Sequence, residues 1–356
     1  MIKSHETNLI IREDLNSIVA ADLPWGKLQN KTVLITGGGG FLASYFVKAL
    51  LDANSKYVLN LKVLCLVRSM RGLEKRLASY MGRTDFSTII HDISQPLPTN
   101  FPEADFIVHS ASQASPKYYG IDPVGTLLAN SAGTMYLLEY AKKCKAESFL
   151  FFSSGEVYGV PLDQNMPVKE TDYGYIDHMN LRSCYAESKR IGETMCVSWS
   201  SQFGLHTNVV RPFHTYGPGM ALDDGRVFAD FVADVVAKRD IVLKSDGLAM
   251  RPFCYLADAT IGFLTVLLKG ENSEAYNIAN PSAEISMKSL AVLIANLFPE
   301  RNVGVRFENP AVDSSYLRSP ISRSCPSIEK INKLGWSPVT SIEDGFRRTI
   351  ESYKLN

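Results

Sequence analysis

The sequence lacks the cysteine arrangements that indicate a zinc site or a disulfide framework. Its six cysteines include no C-x-x-C pair, and its six histidines form no cluster with cysteine. This spacing is typical of reduced thiols in a cytosolic protein. We therefore expect no bound metal ion and a cytoplasmic location.

Charge of one sign and long apolar runs are also missing. Lys and Arg number 37, Asp and Glu also number 37, and the formal net charge is +0. A neutral chain offers no electrostatic attraction to nucleic acid. No apolar run approaches ~18 residues, the length that spans a membrane, and the charged N-terminus does not resemble a signal peptide. We expect neither a nucleic-acid nor a membrane partner.

The composition is that of a globular protein with a substantial core. Hydrophobic residues make up 46% of the 356 residues, and charged residues make up 21%. A chain of this length accommodates two domains. Residues 1–30 form an extension in which Leu9, Ile10, Leu15 and Ile18 approximate helical spacing. We predict that this extension contains a helix docked on the first domain.

A strand, a glycine-rich turn and a helix follow one another after the extension. Thr32–Thr36 is a β-branched apolar run, Gly37–Gly40 is a run of glycines, and Phe41–Leu51 has helical character. Glycine lets the backbone approach a pyrophosphate, and a helix N-terminus attracts its charge. Further strands at Leu61–Val67 and Ser87–Ile90 continue an alternating pattern. The sequence predicts an α/β fold, with NAD or NADP bound on a Rossmann-type doubly wound parallel sheet.

The end of the second predicted strand bears on the choice of cofactor. An acidic residue there would bind the adenosine ribose and indicate NAD. This chain has Arg68 and Arg71 instead, and two guanidiniums are suited to a ribose 2′-phosphate. The alternative is that both are surface charges and that NAD binds without the acid. The sequence favours NADP slightly, on the basis of Arg68.

Later strands also end in residues that can reach the site. Asp92 follows the third strand, and Ser110 with Ala111 follows the fourth in a loop of small residues. Ser154 and Glu156 follow the fifth strand, Ser148–Phe152. Ligands bind outside the carboxyl ends of such strands. We expect Ser154 to share a hydrogen bond with a reacting hydroxyl and Glu156 to act as a base.

Tyr185 and Lys189 are four residues apart in a run of helical character. This spacing places both side chains on one helix face. A neighbouring ammonium is expected to lower the pKa of a tyrosine toward the working pH, so that Tyr185 can accept a proton from a sugar hydroxyl. The alternative interpretation is a pair on a solvated helix face.

Together with these residues, several motifs show a resemblance to a known family. They are Thr36–Phe41, Tyr185-x-x-x-Lys189, Arg211-Pro212 with Tyr216–Pro218, Arg251–Asp258 and Leu334–Pro338. From about Lys31 to Tyr353 the chain resembles an extended short-chain dehydrogenase/reductase of the NAD(P)-dependent sugar-nucleotide epimerase/dehydratase family. The resemblance implies an enzyme that transiently oxidises a nucleotide sugar at carbon 4.

The resemblance also implies roles for individual residues. Tyr185 would be the base, Lys189 would hold the cofactor ribose, and Ser154 would assist. The remaining cofactor-binding residues would be Gly37, Gly39, Gly40, Phe41, Leu42, Arg68, Asp92, Ile93, Ser110, Ala111, Asn130 and Pro212. The substrate-binding residues would be Ser115, Tyr119, Arg182, His214, Arg226, Val227, Arg251 and Arg323.

Three arginines in the second half of the chain are candidates for a nucleotide diphosphate. Planar guanidiniums such as Arg226, Arg251 and Arg323 suit bidentate recognition of phosphate. Surface salt bridges are the alternative for each of them. We predict a Rossmann domain of residues 31–210 plus about 251–282. Residues 211–250 plus about 283–356 would form a smaller α/β substrate lobe.

Within the family, the stretches Ala114–Tyr119, Ser153–Gly159, Arg182–Tyr185 and Asp223–Val227 most resemble UDP-glucuronate decarboxylases, also called UDP-xylose synthases. A ketone at carbon 4 is β to the carboxylate at carbon 5, so carbon dioxide can leave with its electrons delocalised into the ketone. Nucleotide-sugar 4-epimerisation is the second alternative and 4,6-dehydration the third. A non-catalytic sensor or scaffold with bound NAD(P) is the alternative outside enzymes.

The chain departs from the family pattern at four positions. Ala43 replaces the third glycine, His214 replaces an Asn, and Gly219 replaces an Arg. Gly155 stands where the decarboxylases have a Ser and the dehydratases an Asp. Loss of that acid disfavours the departure of water. We expect the space opened by Gly155 to hold a water, ordered by Glu156, that delivers a proton to carbon 5.

The family resemblance also implies a homodimer. Helices around Asn130–Lys143 and Tyr185–Trp199 would pair with a second copy as a four-helix interface. Apolar residues of these helices are predicted to face the partner: Met135, Leu138, Met195 and Val197.

Overall fold

Seven parallel strands form the central sheet in a computed structural model that describes residues 8–161, 165–308 and 321–353. The first six are β1 (Thr32–Thr36), β2 (Lys62–Val67), β3 (Phe86–Ile90), β4 (Phe106–His109), β5 (Ser148–Phe152) and β6 (Thr207–Pro212). The seventh is Glu274–Ile278, named β11 because four short strands precede it in the chain. These runs are rich in apolar and β-branched residues, as expected of strands covered on both faces.

The order of the strands confirms the predicted doubly wound sheet. The order is β11-β6-β5-β4-β1-β2-β3, and every neighbouring pair is parallel. The direction of winding reverses between β1 and β4, where Thr36 pairs with His109. Ligands bind at such a switch point, outside the carboxyl ends of the strands. The fold therefore places a binding crevice beside Thr36.

Helices cover both faces of this sheet. One face carries α1 (Leu9–Ala20), α2 (Phe41–Tyr57) and α8 (Leu256–Lys269), and the other carries α4 (Pro123–Asn130), α5 (Ala132–Cys144) and α6 (Ser183–Phe203). A short helix, α3 (Arg71–Arg76), follows β2. Alternate residues of β1 serve the two cores, since Val33 and Ile35 pack on the first face and Leu34 on the second.

The smaller lobe is built from short elements. Its strands are β7 (Thr215–Tyr216), β8 (Ile241–Leu243), β9 (Met250–Pro252), β10 (Cys254–Tyr255), β12 (Glu284–Ser286) and β13 (Val305–Phe307). They pair as β7 with β10, β8 with β13 and β9 with β12. Its helices are α7 (Val227–Val236), α9 (Met287–Asn296), α10 (Glu329–Asn332) and α11 (Ile342–Ser352). Pro212, predicted to lie in this lobe, is the last residue of β6 in the main sheet.

The N-terminal helix α1 is anchored through a buried carboxylate. Asp14 accepts hydrogen bonds from the hydroxyls of Tyr45 at 3.2 Å and Tyr255 at 2.8 Å, and pairs with Arg348 at 2.7 Å. These partners lie on α2, β10 and α11. At the start of α1, the Asn8 Nδ2 donates to the carbonyl of Ser352 at 2.8 Å. The helix therefore joins the Rossmann domain, the smaller lobe and the last helix.

One prediction about the apolar residues of α5 and α6 is wrong. Leu138 was expected to face a partner, but it is fully buried in the core between α5 and the sheet. Met135 and Met195 are half-buried, and only Val197 of the four is exposed. Exposed apolar residues that the sequence analysis did not name are Ile191 on α6 and Leu127 and Leu128 on the neighbouring α4.

We found no membrane-spanning candidate in the described ranges, since each of their helices is too short or too polar for that role.

Candidate active site

The turn Gly37–Gly40, here called the cofactor turn, is packed too tightly for side chains at its first positions. Gly37 has φ +69°, and a Cβ there would lie 2.8 Å from the Cα of Ala111. A Cβ on Gly38 would collide with the sulfur of Cys65. These clashes explain the glycines at both positions. The turn therefore presents bare backbone at the switch point of the sheet.

The same turn leads directly into α2. Gly40 is the N-cap residue and contributes no side-chain hydrogen bond to the first turn of the helix, which begins at Phe41. An uncapped helix N-terminus has free N–H groups and a partial positive charge. Both favour a phosphate group, and the glycines, which lack side chains, allow one to lie close to the backbone. These residues therefore fit the diphosphate of a dinucleotide.

A buried histidine shapes the loop opposite the cofactor turn. The Nδ1 of His109 is 2.9 Å from the Thr36 hydroxyl, and its Nε2 is 3.2 Å from the Ala129 carbonyl. Burial and the nearby Lys189 lower the pKa of His109 to about 3. The ring is therefore neutral, with the proton on Nε2, because only that nitrogen faces an acceptor that cannot donate.

Two predicted cofactor residues on this loop, Ser110 and Ala111, are held by Thr36, which also contacts His109. The hydroxyl of Thr36 accepts from the backbone N–H of Ala111 at 3.1 Å, and the Ser110 hydroxyl donates to the Thr36 carbonyl. On the opposite wall, Phe41 and Leu42 are half-buried in the first turn of α2, and Pro212 is half-buried at the end of β6. The structure thus places these residues around the switch point.

Arg68, Asp92 and Ile93 lie together at the ends of β2 and β3. The backbone and side chain of Ser94 donate to Asp92 and lower the pKa of its carboxyl, and the charge of Arg68 adds to the effect. Arg68 is exposed and Ile93 is buried. An exposed guanidinium beside this crevice is available to a ribose or its 2′-phosphate.

Asn130 is buried between α4 and α6. Its Nδ2 donates to the Thr126 carbonyl at 3.1 Å and to the Ser188 hydroxyl at 3.0 Å. Ser188 in turn donates to the Tyr185 carbonyl at 2.8 Å. The Asn130 Oδ1 has no partner among the described residues. Asn130 therefore holds the backbone of the Tyr185 turn and presents an unpaired acceptor.

Tyr185 and Lys189 lie one turn apart on α6, as predicted, but on its buried face. The Lys189 Nζ lies 5.8 Å from the centroid of the Tyr185 ring and donates to the Phe152 carbonyl at 2.6 Å. Burial lowers the pKa of Lys189 to about 7, and the charge of Glu193 opposes that shift. The solvated helix face considered as an alternative is therefore excluded, because both side chains are almost fully buried.

The prediction that Lys189 lowers the Tyr185 pKa is wrong for the protein without bound ligands. Burial is the dominant influence and raises the pKa of Tyr185 above its ordinary value. A hydrogen bond with Ser154 and the charge of Arg226 act in the opposite direction, whereas Glu156 raises it further. Removal from water disfavours a phenolate more than these neighbours favour it.

Tyr185 belongs to a group of five residues, here called the reaction cluster: Tyr119, Ser154, Glu156, Arg182 and Tyr185. The rings of Tyr119 and Tyr185 are stacked, with centroids 5.2 Å apart. Arg182 lies over the Tyr119 ring at 5.7 Å and pairs with Glu156 at 3.0 Å. The Ser154 hydroxyl accepts from the backbone N–H of Glu156 at 3.2 Å. Four predicted catalytic or substrate residues thus surround the base candidate.

The space expected beside Gly155 is filled. A Cβ at Gly155 would lie 2.7 Å from the ring of Phe213. Phe213 is buried and stacks on Tyr158 with centroids 6.0 Å apart. The prediction of a water in this space is therefore wrong, because an aromatic ring from the end of β6 occupies it.

His214 lies between two aromatic rings, with centroids 6.4 Å from Phe228 and 5.8 Å from Phe253. Burial, followed by the charges of Arg251 and Arg226, lowers the pKa of His214 well below its ordinary value. Its Nδ1 has no partner among the described residues. His214 is therefore neutral at pH 7 and offers an unpaired ring nitrogen that the charges of Arg251 and Arg226 influence.

The remaining predicted substrate residues make contacts within the protein. Arg226 pairs with Asp224, and Arg251 donates to the carbonyls of Met250 at 2.7 Å and Ile321 at 2.6 Å. Arg323 pairs with Glu284 at 2.7 Å, and half of its side chain is exposed. This ion pair matches the alternative interpretation of Arg323, which was a surface salt bridge.

Two further predicted substrate residues lie close to Arg226 and Asp224. The Ser115 hydroxyl donates to the Asp224 carbonyl. Val227 follows Arg226 as the first residue of α7. Ser115 therefore connects the loop after β4 with the smaller lobe.

An ion pair behind Lys189 was missed by the sequence analysis. Glu193 accepts from the Nε and Nη2 of Arg211 at 2.9 Å and 2.6 Å, and from the Ser153 hydroxyl at 2.5 Å. Arg211 also donates to the Tyr158 hydroxyl at 2.8 Å. The spacing of Lys189 and Glu193 on one helix face was the signal that could have revealed it.

No group of three or more potential metal ligands (His, Cys, Asp or Glu) occurs within residues 8–161, 165–308 and 321–353.

A comparison with family models shows the family to which the chain belongs. The model of the NAD dependent epimerase/dehydratase family matches residues 33–279. The chain belongs to this family. It is accordingly an enzyme of the extended short-chain dehydrogenase/reductase class that uses a nicotinamide dinucleotide and acts on sugar nucleotides.

Curated relatives carry the decarboxylase name. UDP-glucuronic acid decarboxylase 6 of Arabidopsis thaliana is 33% identical over 327 residues, which are 92% of this chain and 90% of that protein. UDP-glucuronic acid decarboxylase 1 of Xenopus tropicalis is 33% identical over 92% of this chain and 73% of its own length.

Solved structures show the same fold at lower identity. The dTDP-glucose 4,6-dehydratase DesIV of Streptomyces venezuelae, solved with NAD bound, is 23% identical with a TM-score of 0.79, over 91% of this chain and 97% of its own. The UDP-N-acetylglucosamine 4-epimerase of Methanobrevibacter ruminantium is 22% identical with a TM-score of 0.78, over 92% and 99%. These likenesses establish the fold and do not separate dehydration from epimerisation.

Proposed function

We propose that this chain decarboxylates UDP-glucuronate to UDP-xylose through a 4-keto sugar. The observation that carries the proposal is the 33% identity with a UDP-glucuronic acid decarboxylase over 92% of the chain. The reaction cluster supports it, because buried Tyr185 lies in one group with half-buried Ser154 and Glu156.

The first step oxidises carbon 4 of the sugar. A nicotinamide dinucleotide held by the cofactor turn would supply the group that takes hydride from that carbon and returns it. Tyr185 takes the proton of the carbon 4 hydroxyl, and Ser154 shares a hydrogen bond with the same oxygen. The hydrogen bond with Ser154 and the charge of Arg226 favour the phenolate and oppose the burial that raises the Tyr185 pKa. Lys189 lies beneath the ring and supports its orientation.

The second step breaks the bond between carbon 5 and the carboxylate. Its electron pair moves toward the carbon 4 ketone as carbon dioxide leaves, so no acid is needed at departure. A proton must then reach carbon 5 before hydride returns to carbon 4. With Phe213 filling the space beside Gly155, we assign proton delivery to the open side of the cluster, through water held by Glu156 and Arg182.

The nucleotide end of the substrate would lie toward the smaller lobe. His214 supplies an unpaired Nδ1, and Arg226 and Arg251 place positive charge near it. A diphosphate suits this combination because a guanidinium can donate two parallel hydrogen bonds to phosphate oxygens. Arg323 contributes less, since it is paired with Glu284 and half exposed.

The test is incubation of the purified protein with UDP-glucuronate, followed by mass spectrometry of the product. UDP-glucose and UDP-N-acetylglucosamine serve as parallel substrates that lack the carboxylate. We expect loss of carbon dioxide from UDP-glucuronate only. Glu156→Gln should retain oxidation at carbon 4 and lose most of the carbon dioxide release.

The other outcomes separate the alternatives. Unchanged mass with inverted carbon 4 would establish a 4-epimerase, and loss of water from UDP-glucose would establish a 4,6-dehydratase. Binding of NAD(P) without turnover of any substrate would favour a sensor or scaffold. Each of these outcomes would overturn the decarboxylase proposal.

We also propose a homodimer formed through α4, α5 and α6. Leu127 and Leu128 on α4 and Ile191 and Val197 on α6 are between 38% and 49% exposed. Two copies of such a face bury this apolar surface as a four-helix interface. Light scattering should give a dimer mass for the wild type and a monomer mass for Leu128→Glu/Val197→Glu. A monomeric wild type at micromolar concentration would refute the dimer.

The state of the cysteines supports a reducing compartment. All six are free thiols, and five of them are buried. We propose the cytoplasm, which fluorescence microscopy of the tagged chain would test.

A further inference from the structure

Arg76 is a half-buried residue that no part of the proposed reaction uses. It is the last residue of α3, and its Nη1 donates to the carbonyl of Gly39 in the cofactor turn at 3.1 Å. Its Nη2 donates to the carbonyl of Gly219 at 3.3 Å. The Nε is buried and has no hydrogen-bond partner among the described residues.

The guanidinium of Arg76 also forms no ion pair among the described residues, and the Asp224 carboxylate pairs with Arg226 instead. Burial lowers the pKa of Arg76, and the charge interactions with Tyr353 and Asp224, which would raise it, do not offset that effect. A buried cation is costly unless an anion and hydrogen bonds compensate it. The structure therefore contains a positive charge that an anionic ligand would stabilise.

The backbone around Arg76 fixes this charge against the cofactor turn. A Cβ on Gly39 would lie 2.8 Å from the carbonyl carbon of Gly72, and a Cβ on Gly72 would lie 2.8 Å from the carbonyl oxygen of Gly39. Only two glycines allow this approach. Because Gly72 is the second residue of α3, the whole short helix is seated on the turn.

We propose that Arg76 binds the diphosphate of the nicotinamide cofactor and ties the cofactor turn to the smaller lobe at Gly219. The inference rests on the proposal that Gly37–Gly40 receive this diphosphate. A guanidinium is suited to the task because it can donate to the backbone and to phosphate oxygens simultaneously. Gly219 stands where the family motif has an arginine, so Arg76 brings a guanidinium to this position from the Rossmann domain instead.

The experiment measures nucleotide affinity of the full chain by calorimetry, with ligand-observed NMR for the weaker ligands. Wild type, Arg76→Ala, Arg76→Lys and the control Lys75→Ala are titrated with NADP, NAD, ADP and adenosine. Lys75 is the matched control because it precedes Arg76 in α3, carries the same charge and is exposed. ADP contains the diphosphate and adenosine does not.

We expect Arg76→Ala to weaken NADP, NAD and ADP by about 10- to 100-fold, the effect of a hydrogen bond to a charged group. Adenosine affinity should stay within about twofold of wild type. Arg76→Lys should recover part of the ADP affinity, and Lys75→Ala should match wild type.

Unchanged ADP affinity in Arg76→Ala would overturn the inference. An equal loss of ADP and adenosine affinity would overturn it as well, because that pattern indicates a structural role only. If Arg76→Ala fails to fold, Arg76→Lys decides between the same outcomes. A wild type that binds neither NADP nor NAD would reject the assignment of the cofactor turn itself, which distinguishes that failure from this one.

Discussion

The cofactor turn and the reaction cluster hold chemical groups in place by different means. In the turn, backbone atoms touch neighbours so closely that side chains are excluded at Gly37 and Gly38. In the cluster, position depends on side-chain pairs between distant parts of the chain, such as Glu156 with Arg182 and Tyr119 with Tyr185. The comparison teaches that the turn is sensitive to any added atom, whereas the cluster is sensitive to the loss of particular groups.

Removing one hydroxyl should break the cluster and leave the turn intact. Tyr185→Phe should lower turnover about 10²- to 10⁴-fold, because the general base is lost. Cofactor affinity and the melting temperature should match wild type. Tyr173→Phe makes the same change at a side chain that is 79% exposed and should have no effect. Near-wild-type oxidation at carbon 4 by Tyr185→Phe would remove this residue from the base role.

Adding one methyl group should break the turn and leave the cluster intact. Gly37→Ala should destabilise the protein by about 2–4 kcal/mol, since a left-handed backbone and overpacking are combined, and should abolish measurable cofactor binding. Gly82→Ala is the control, because Gly82 has φ +86° and open space around it. Its cost should be about 1 kcal/mol with cofactor affinity retained. Equal effects of the two variants in urea unfolding would contradict the steric explanation.

Lys189 sharpens the comparison, because it is a buried cation that lies next to Tyr185 of the reaction cluster. Its folded-state pKa is lowered from 10.5 to about 7. Between these two pH values the unfolded chain therefore binds more protons than the folded chain. The free energy of unfolding rises with pH across that window, and the gain is lost as the pH falls back to 7. Urea unfolding of wild type and Lys189→Met should diverge in favour of wild type, on the order of 2 kcal/mol between pH 7 and 10. Parallel curves would show that Lys189 stays charged throughout.

The smallest expected effect concerns a side chain on the cofactor side. Arg68→Asp should shift preference from NADP toward NAD by about tenfold, because a 2′-phosphate loses a charged donor. Lys62→Asp reverses a charge at the other end of β2, where Lys62 is exposed, and should leave the ratio unchanged. Calorimetry showing strong NAD selectivity in wild type would refute the NADP assignment.

The fold and the cofactor turn were predictable from sequence because their signals are local. Thr32–Thr36 followed directly by four glycines and a helix indicates one arrangement, and the sheet order confirms it. Tyr185 and Lys189 were equally readable, since four residues separate them on one helix.

The rest of the site depends on contacts between residues far apart in sequence. Phe213, the residue after β6, fills the space beside Gly155, so the glycine alone suggested an opening that does not exist. Likewise, the raised pKa of Tyr185 results from burial, which its local sequence does not reveal. Leu138 was misplaced for the same reason, because the face of α5 that meets the sheet is decided by packing.

The hydrogen bond between Asn8 and Ser352 has a consequence for the order of assembly during synthesis. The first described residue is held by one near the end of the chain, 344 positions later. When α1 leaves the ribosome, Arg348 and Ser352 have not yet been made, so the Asp14 carboxylate cannot have its final partners. Contacts of such long sequence separation form late in folding. The Asp14 carboxylate therefore gains its full set of partners only after α11 has been made.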